Sequence, residues 1–253
     1  MTNQIKAICW DVDGTLVDSE PLNREKKIAV VANYGISLTE KEARQFDGIC
    51  DRKCWEWLRQ NKGLQIPYEQ FVHELNAYYL AHPEKIVPRD GALEAFDYFD
   101  ALKLPQCAVS SGEKATVDAN LAVAGVDTRV LFALNSADVT KTKPDPEPYM
   151  LGKTRLCEAL GWDAATVNSR SFLVIEDSIP GVIAASRAGM TVIFWPQTPG
   201  ETCPEADYTV YTKGDLLKIC RKLTASNDSA PAVVRQKDSQ SLKRSGGLRV
   251  NGP

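Results

Sequence analysis

Short apolar runs bounded by turn residues punctuate the chain: KAICW (6–10), QCAVS (106–110), VLFAL (130–134), SFLVI (171–175) and TVIFW (191–195). Runs of this length, apolar without alternation, predict strands buried on both faces, as in a parallel sheet. Helical patterns fill the later gaps and each stops at a glycine: EKATVDANLAVAG at Gly125, DPEPYMLGKTRLCEALG at Gly161 and SIPGVIAASRAG at Gly189. A glycine there supplies the left-handed residue that closes a helix. Strand and helix in alternation predict an α/β sandwich.

The first run breaks the rhythm, because about 95 residues separate it from the second. That gap reads as helical: PLNREKKIAVVANYG, TEKEARQF with a capping box at Thr39 and Glu42, DRKCWEWLRQN, and PYEQFVHELNAYYLAH opened by Pro67 and closed by Pro83. The pattern predicts an inserted all-helical domain over residues 19–87, between core segments 1–18 and 88–222. Its aromatics Trp55, Trp57, Phe71, Tyr78 and Tyr79 are expected to form its own core and its seam with the main body. Residues 223–253, rich in Ser, Gly, Pro and charge without apolar periodicity, read as a disordered tail.

Composition narrows the function. With 253 residues, 43% hydrophobic, a net charge of −3 and a pI near 5.6, the chain offers no field for nucleic acid or an anionic membrane. No apolar stretch approaches the ~20 residues that span a bilayer. The N-terminal MTNQIKAICW lacks a basic segment followed by a signal-length apolar one, so a cytoplasmic location and a monomer are the expectation. Seven scattered cysteines without a C-x-x-C pair, and only His73 and His82 to assist them, argue against a zinc cluster and for reduced, structural thiols.

Candidate chemistry gathers at the strand ends. WDVDGT places Asp11 and Asp13 where a buried strand runs out, the edge at which open α/β sheets bind ligands. Two carboxylates that close repel unless a cation or a shared proton intervenes, and Mg²⁺ is the economical cation; a capped turn is the plainer alternative. Ser110 and Ser111 follow the second run at a helix start suited to phosphate. Lys143 in KTKPDP supplies a point charge for a phosphoryl oxygen or an anionic nucleophile, and Glu176 and Asp177 close a later strand.

With these four clusters in order, the chain resembles the haloacid dehalogenase-like (HAD) hydrolases, in the branch with a helical cap inserted after the first motif. Asp11 to Ser19 match D-x-D-G-T-L-x-D-S, and VSS, KPDP and EDS…G…A…AGM match the others, over residues 5–222. The resemblance implies a Rossmann-like parallel sheet with a helical cap, and a Mg²⁺-dependent phosphatase of small phosphorylated metabolites. It implies Asp11 as nucleophile forming an aspartyl-phosphate, Asp13 as general acid/base, Ser110 and Lys143 on the phosphoryl group, and Mg²⁺ held by Asp11, the Asp13 backbone carbonyl, Glu176 and Asp177. Ser110 is preferred over Ser111 by its distance from Gly125. In the cap, Gly48 and Arg52 are candidate substrate contacts. A β-phosphoglucomutase-type phosphomutase is the alternative, disfavoured because Asn23 stands where that group carries His; a phosphate-sensing scaffold without catalysis is a further one.

Overall fold

The computed structural model describes residues 4–46, 49 and 51–225. In chain order its strands are β1 (Ala7–Trp10), β2 (Val17–Asp18), β3 (Val87–Pro88), β4 (Gln106–Val109), β5 (Ala133–Leu134), β6 (Phe172–Glu176), β7 (Thr191–Phe194) and β8 (Tyr208–Thr209). The helices are α1 (Glu20–Ala32), α2 (Glu40–Arg44), α3 (Asp51–Lys62), α4 (Tyr68–Leu80), α5 (Ala92–Ala101), α6 (Lys114–Ala124), α7 (Glu147–Leu160), α8 (Ile179–Arg187) and α9 (Lys213–Thr224). A six-stranded sheet in the order β5-β4-β1-β6-β7-β8 is parallel throughout. After β5 the chain crosses to the other side of β1, and that reversal opens a crevice at the carboxyl ends of the central strands.

Alternation along β1 builds a layer on each face. Ile8 and Trp10 join one cluster with Phe96 and Phe99 of α5, Leu121 of α6 and Leu216 of α9. Ala7 and Cys9 join the other with Tyr149 and Leu156 of α7 and Val182 of α8. All four residues are fully buried, as a central parallel strand requires.

Between β2 and β3, which pair antiparallel through Val17↔Pro88 and Asp18↔Val87, the chain makes α1 to α4. These helices enclose a separate apolar cluster that includes Val31, Leu38, Phe46, Leu58, Phe71 and Leu75. Thr39 and Glu42 form the anticipated capping box. Tyr79 instead belongs to the core cluster beneath, so α4 forms the seam between insertion and sheet. Gly48, Cys50 and the expected disordered tail beyond Ala225 lie outside the described residues.

Two expectations need amending. The third apolar run, 130–134, is regular strand at Ala133 and Leu134, although Leu131 N and Phe132 O also hydrogen-bond to β4, at Gln106 O and Ala108 N. Helix α7 begins at Glu147 with Pro148 in its first turn, two residues later than the helical pattern that opens at Asp145, and Pro144 lies in the turn that carries Lys143. The six cysteines described are free and buried. Among the described residues, no helix is long and apolar enough to cross a membrane.

Candidate active site at the carboxyl edge of the sheet

Strand β1 ends at Trp10, but the Asp11 amide still donates to Ile175 O at 3.0 Å. The chain then turns sharply: Val12 O accepts from Leu16 N at 2.9 Å, and Gly14 N donates to Val17 O at 2.8 Å. Gly14 has φ of +79°, and a Cβ there would lie 2.0 Å from Asp177 Oδ2. Glycine at this position therefore satisfies both the left-handed backbone and the approach of β1's turn to the end of β6.

The turn sends Asp11 and Asp13 to different partners. Asp11, 6% exposed, accepts from Lys143 Nζ through Oδ1 at 2.7 Å. Lys143 Nζ also donates to Val109 O at 2.9 Å and Glu176 Oε1 at 2.6 Å, which uses all three of its protons. Glu176 is fully buried; Oε1 also accepts from Tyr149 Oη at 2.8 Å, and Oε2 from Ser178 N and Oγ at 3.1 and 3.0 Å. A Cβ on Gly181 would lie 1.8 Å from Glu176 Oε1, so α8 can cover this carboxylate only with glycine there.

Asp13 belongs to a neighbouring network. Its Oδ1 accepts from Ser19 Oγ at 3.1 Å and Asn120 Nδ2 at 2.9 Å, and its Oδ2 from Ser110 Oγ at 3.2 Å. Asn120 in turn accepts from Tyr79 Oη at 2.7 Å, which links α6 to α4 of the insertion. Asn23 Nδ2 reaches Ser19 Oγ at 3.4 Å.

Three carboxylates, Asp11, Glu176 and Asp177, offer oxygens that all lie within 4.8 Å of one another, against the single ammonium in direct contact. Burial, then the charge of Glu176, pushes the Asp11 carboxyl up to about 7 despite Lys143. Burial and the charges of Asp11 and Glu176 likewise hold Asp177 well above the ordinary carboxylate range. Burial alone would lower Lys143, but the attraction of Asp11 and Glu176 outweighs it and the ammonium is stabilised. Asp11 Oδ2 is buried without a hydrogen-bond partner. Excess negative charge and an orphaned hard oxygen are what a divalent cation would relieve, so this donor set fits one.

The structure thus brings Asp11, Lys143, Glu176 and Asp177 into contact, with Asp13 and Ser110 adjoining. Ser111 is exposed, beside a buried Ser110. The Lys141 ammonium pairs with Asp145, at 3.7 Å on the surface. Arg52 is exposed and lies over the Tyr68 ring, 3.9 Å from its centroid. Sequence reasoning missed Asn120, Tyr149 and Arg89; it placed Tyr79 at the seam and Ser178 in the EDS motif without their hydrogen bonds to Asn120 and Glu176. Asn120 had a signal: it shares the buried stripe of α6 with Val117, Leu121 and Ala124, where an asparagine needs a buried partner. Arg89 follows β3 and donates to Gly14 O, Trp195 O and Pro196 O at 2.6, 2.8 and 2.9 Å, joining the turn after β1 to the loop after β7.

The chain is 28% identical over 206 residues to validoxylamine A 7'-phosphate phosphatase of Streptomyces hygroscopicus subsp. limoneus, covering 80% of this chain and 91% of that one. It is 25% identical to 6-phosphogluconate phosphatase of Escherichia coli, covering 78% and 85% respectively. The crystal structure of CbbY from Rhodobacter sphaeroides in complex with phosphate shares the fold, with a TM-score of 0.70 at 22% identity over 84% of this chain and 96% of that one. The family model for haloacid dehalogenase-like hydrolases matches residues 8–195, which take in every strand-end cluster of the site, and the chain belongs to that family.

Proposed function

We propose that the chain is a Mg²⁺-dependent phosphatase of small phosphate monoesters, with Asp11 as the nucleophile. One observation carries the reading: Lys143 grips Asp11 through Oδ1 and is itself fixed by Glu176, while Asp11 Oδ2 remains buried and unpartnered beside Asp177. A carboxylate held so firmly on one side and left open on the other is prepared to accept a phosphoryl group. The names of curated relatives, phosphatases of phosphorylated carbohydrates among them, support the same class.

In this reading the Asp11 carboxylate attacks phosphorus in line with the ester oxygen. The P–O ester bond breaks, and the departing alkoxide takes a proton from Asp13. Asp13 then accepts a proton from the water that attacks the aspartyl-phosphate, which releases phosphate and regenerates Asp11. Ser110, bonded to Asp13 and next to the free helix start of α6, orients the phosphoryl oxygens. Lys143 balances their charge and keeps Asp11 aligned. Asp11 and Asp177 carry the oxygens open to Mg²⁺, with Glu176 at the edge of the cluster holding Lys143. Bound there, the cation would offset repulsion between carboxylate and phosphoryl oxygens. Division into a core of residues 1–18 and 88–222 and a cap of 19–87 suits closure of α1 to α4 over the ester.

The test incubates the protein with Mg²⁺ and a panel of sugar phosphates and an aryl phosphate, and measures released phosphate beside isomerised sugar phosphate. Phosphate release that needs Mg²⁺ is expected. Isomer without phosphate would instead establish the mutase.

A further inference from the structure

Asn120 of α6 and Tyr79 of α4 are fully buried polar residues that the chemistry above does not use. Tyr79 Oη donates to Asn120 Oδ1 at 2.7 Å, and Asn120 Nδ2 donates to Asp13 Oδ1 at 2.9 Å. A side-chain amide has one accepting end and one donating end, so a hydroxyl bonded to its oxygen turns its nitrogen toward the carboxylate. Burial, then the charge of Asp13, pushes the Tyr79 hydroxyl above its ordinary range, so it keeps its proton and remains a donor. Reversed, the amide would set its own oxygen against Asp13 Oδ1 and leave a buried acceptor unpaired. Asn120 cannot swing out to water either, since it shares the buried stripe of α6 with Thr116, Val117, Leu121 and Ala124.

The two oxygens of Asp13 are held unequally. Oδ1 accepts from both Asn120 Nδ2 and Ser19 Oγ, at 2.9 and 3.1 Å. Oδ2 meets Ser110 Oγ at 3.2 Å, and Ser110 Oγ accepts in turn from Gly112 N at 2.9 Å. Oδ1 is therefore the anchored oxygen, and Oδ2 lies on the Ser110 side of the carboxylate. Asp13 itself is only half-buried, whereas the pair behind it is wholly enclosed.

We infer that Asn120, its amide turned by Tyr79, is a positioning residue that aims Asp13 Oδ2 at the ester oxygen. The inference rests on the phosphatase reading and adds the device that directs its acid/base. As the P–O ester bond breaks, the proton passes from Asp13 Oδ2 to the departing alkoxide oxygen. As water attacks the aspartyl-phosphate, Oδ2 takes up the water's proton. Asn120 and Tyr79 gain and lose no proton in either step, and both act through Asp13. A proton donor serves only an oxygen within hydrogen-bond reach, so a carboxyl free to rotate would lose much of its contribution.

Leaving groups that differ in their need for a proton test this. kcat/KM is measured for the sugar phosphate that releases phosphate fastest and for 2,4-dinitrophenyl phosphate, whose phenolate departs without a proton. General acid assistance contributes about 10²–10⁴-fold, so the ratio of sugar ester to aryl ester should fall about ten-fold or more in Asn120→Leu. It should fall in the same direction in Tyr79→Phe, which removes one oxygen, keeps the ring and serves should the Leu variant not fold. A structural role alone would lower both esters alike and leave the ratio unchanged, which overturns the inference. Crystal structures of the native protein and Tyr79→Phe read the positioning without turnover, since Asp13 Oδ2 should leave Ser110 in the variant. Where phosphate is released the ratio decides, and an unchanged ratio sinks the positioning alone. Where no ester releases phosphate, the phosphatase reading falls and the crystal structures decide: an Asp13 that turns in the variant keeps the positioning, and one that stays in place removes it.

Discussion

Asp11 and Asp13 sit two positions apart and meet different surroundings because the intervening turn delivers them to different donors. Asp11 meets one ammonium and an unsatisfied space; Asp13 meets Ser19, Asn120 and Ser110. Asp11→Asn should reduce phosphate release to background while leaving the fold intact, as read by circular dichroism. Gly181→Ala tests how Lys143 is held, because the added methyl would displace Glu176 from a site it fills completely. A shift of about 1 Å in a catalytic group can cost about 10²-fold, so kcat should fall by roughly that factor with little change in KM. Residues with a local pattern were legible: D-x-D-G at a strand end and the EDS triplet announce themselves. Tyr149 and Arg89 did not, since each is a single residue whose importance comes from a partner supplied by folding. Arg89 lies 75 and 106 positions from two of its acceptors.

Among elements, the long buried strands were readable because an uninterrupted apolar run suits a strand covered on both faces. Strands β2, β3, β5 and β8 are two residues each, too short to show a period, and exist through their neighbours. Helices α5 and α9 fell outside the alternation of the later runs, although α5 supplies Phe96 and Phe99 to the core. The pairing of β2 with β3 brings both ends of the helical insertion together, and Arg89, directly after β3, fastens that junction to the active-site turn. Its guanidinium stacks 3.8 Å from the centroid of Trp195, and burial lowers its pKa to about 10. Arg89→Met removes a charged donor from three carbonyls. Hydrogen bonds from charged groups contribute about 1.5–3 kcal/mol each, so a loss of about 3 kcal/mol in unfolding free energy is expected, measured by urea denaturation. A loss below a few tenths of a kcal/mol would show that water replaces the clamp without cost.

At the scale of the molecule, the acidic cluster should couple stability to pH and, in the proposed reading, to a divalent cation. Asp11 titrates at about 7 in the folded chain against 3.8 ordinarily, and Asp177 is raised too. The folded state therefore binds more protons than the unfolded one across that window, so metal-free stability should fall as pH rises from about 4 to about 7. A cation displaces those protons, so the rise in Tm given by saturating Mg²⁺ should be larger at pH 8 than at pH 5. Equal shifts at both values would show that the cluster does not hold the ion. The central claim, that Asp11 itself becomes phosphorylated, has a direct measurement. Protein mixed with Mg²⁺ and an aryl phosphate is acid-quenched within milliseconds, and the peptide containing Asp11 is weighed by mass spectrometry. A phosphoryl group should appear on Asp11 and decay as phosphate is released. Rapid turnover with the phosphoryl group on another residue, or on none at any time, would contradict the account.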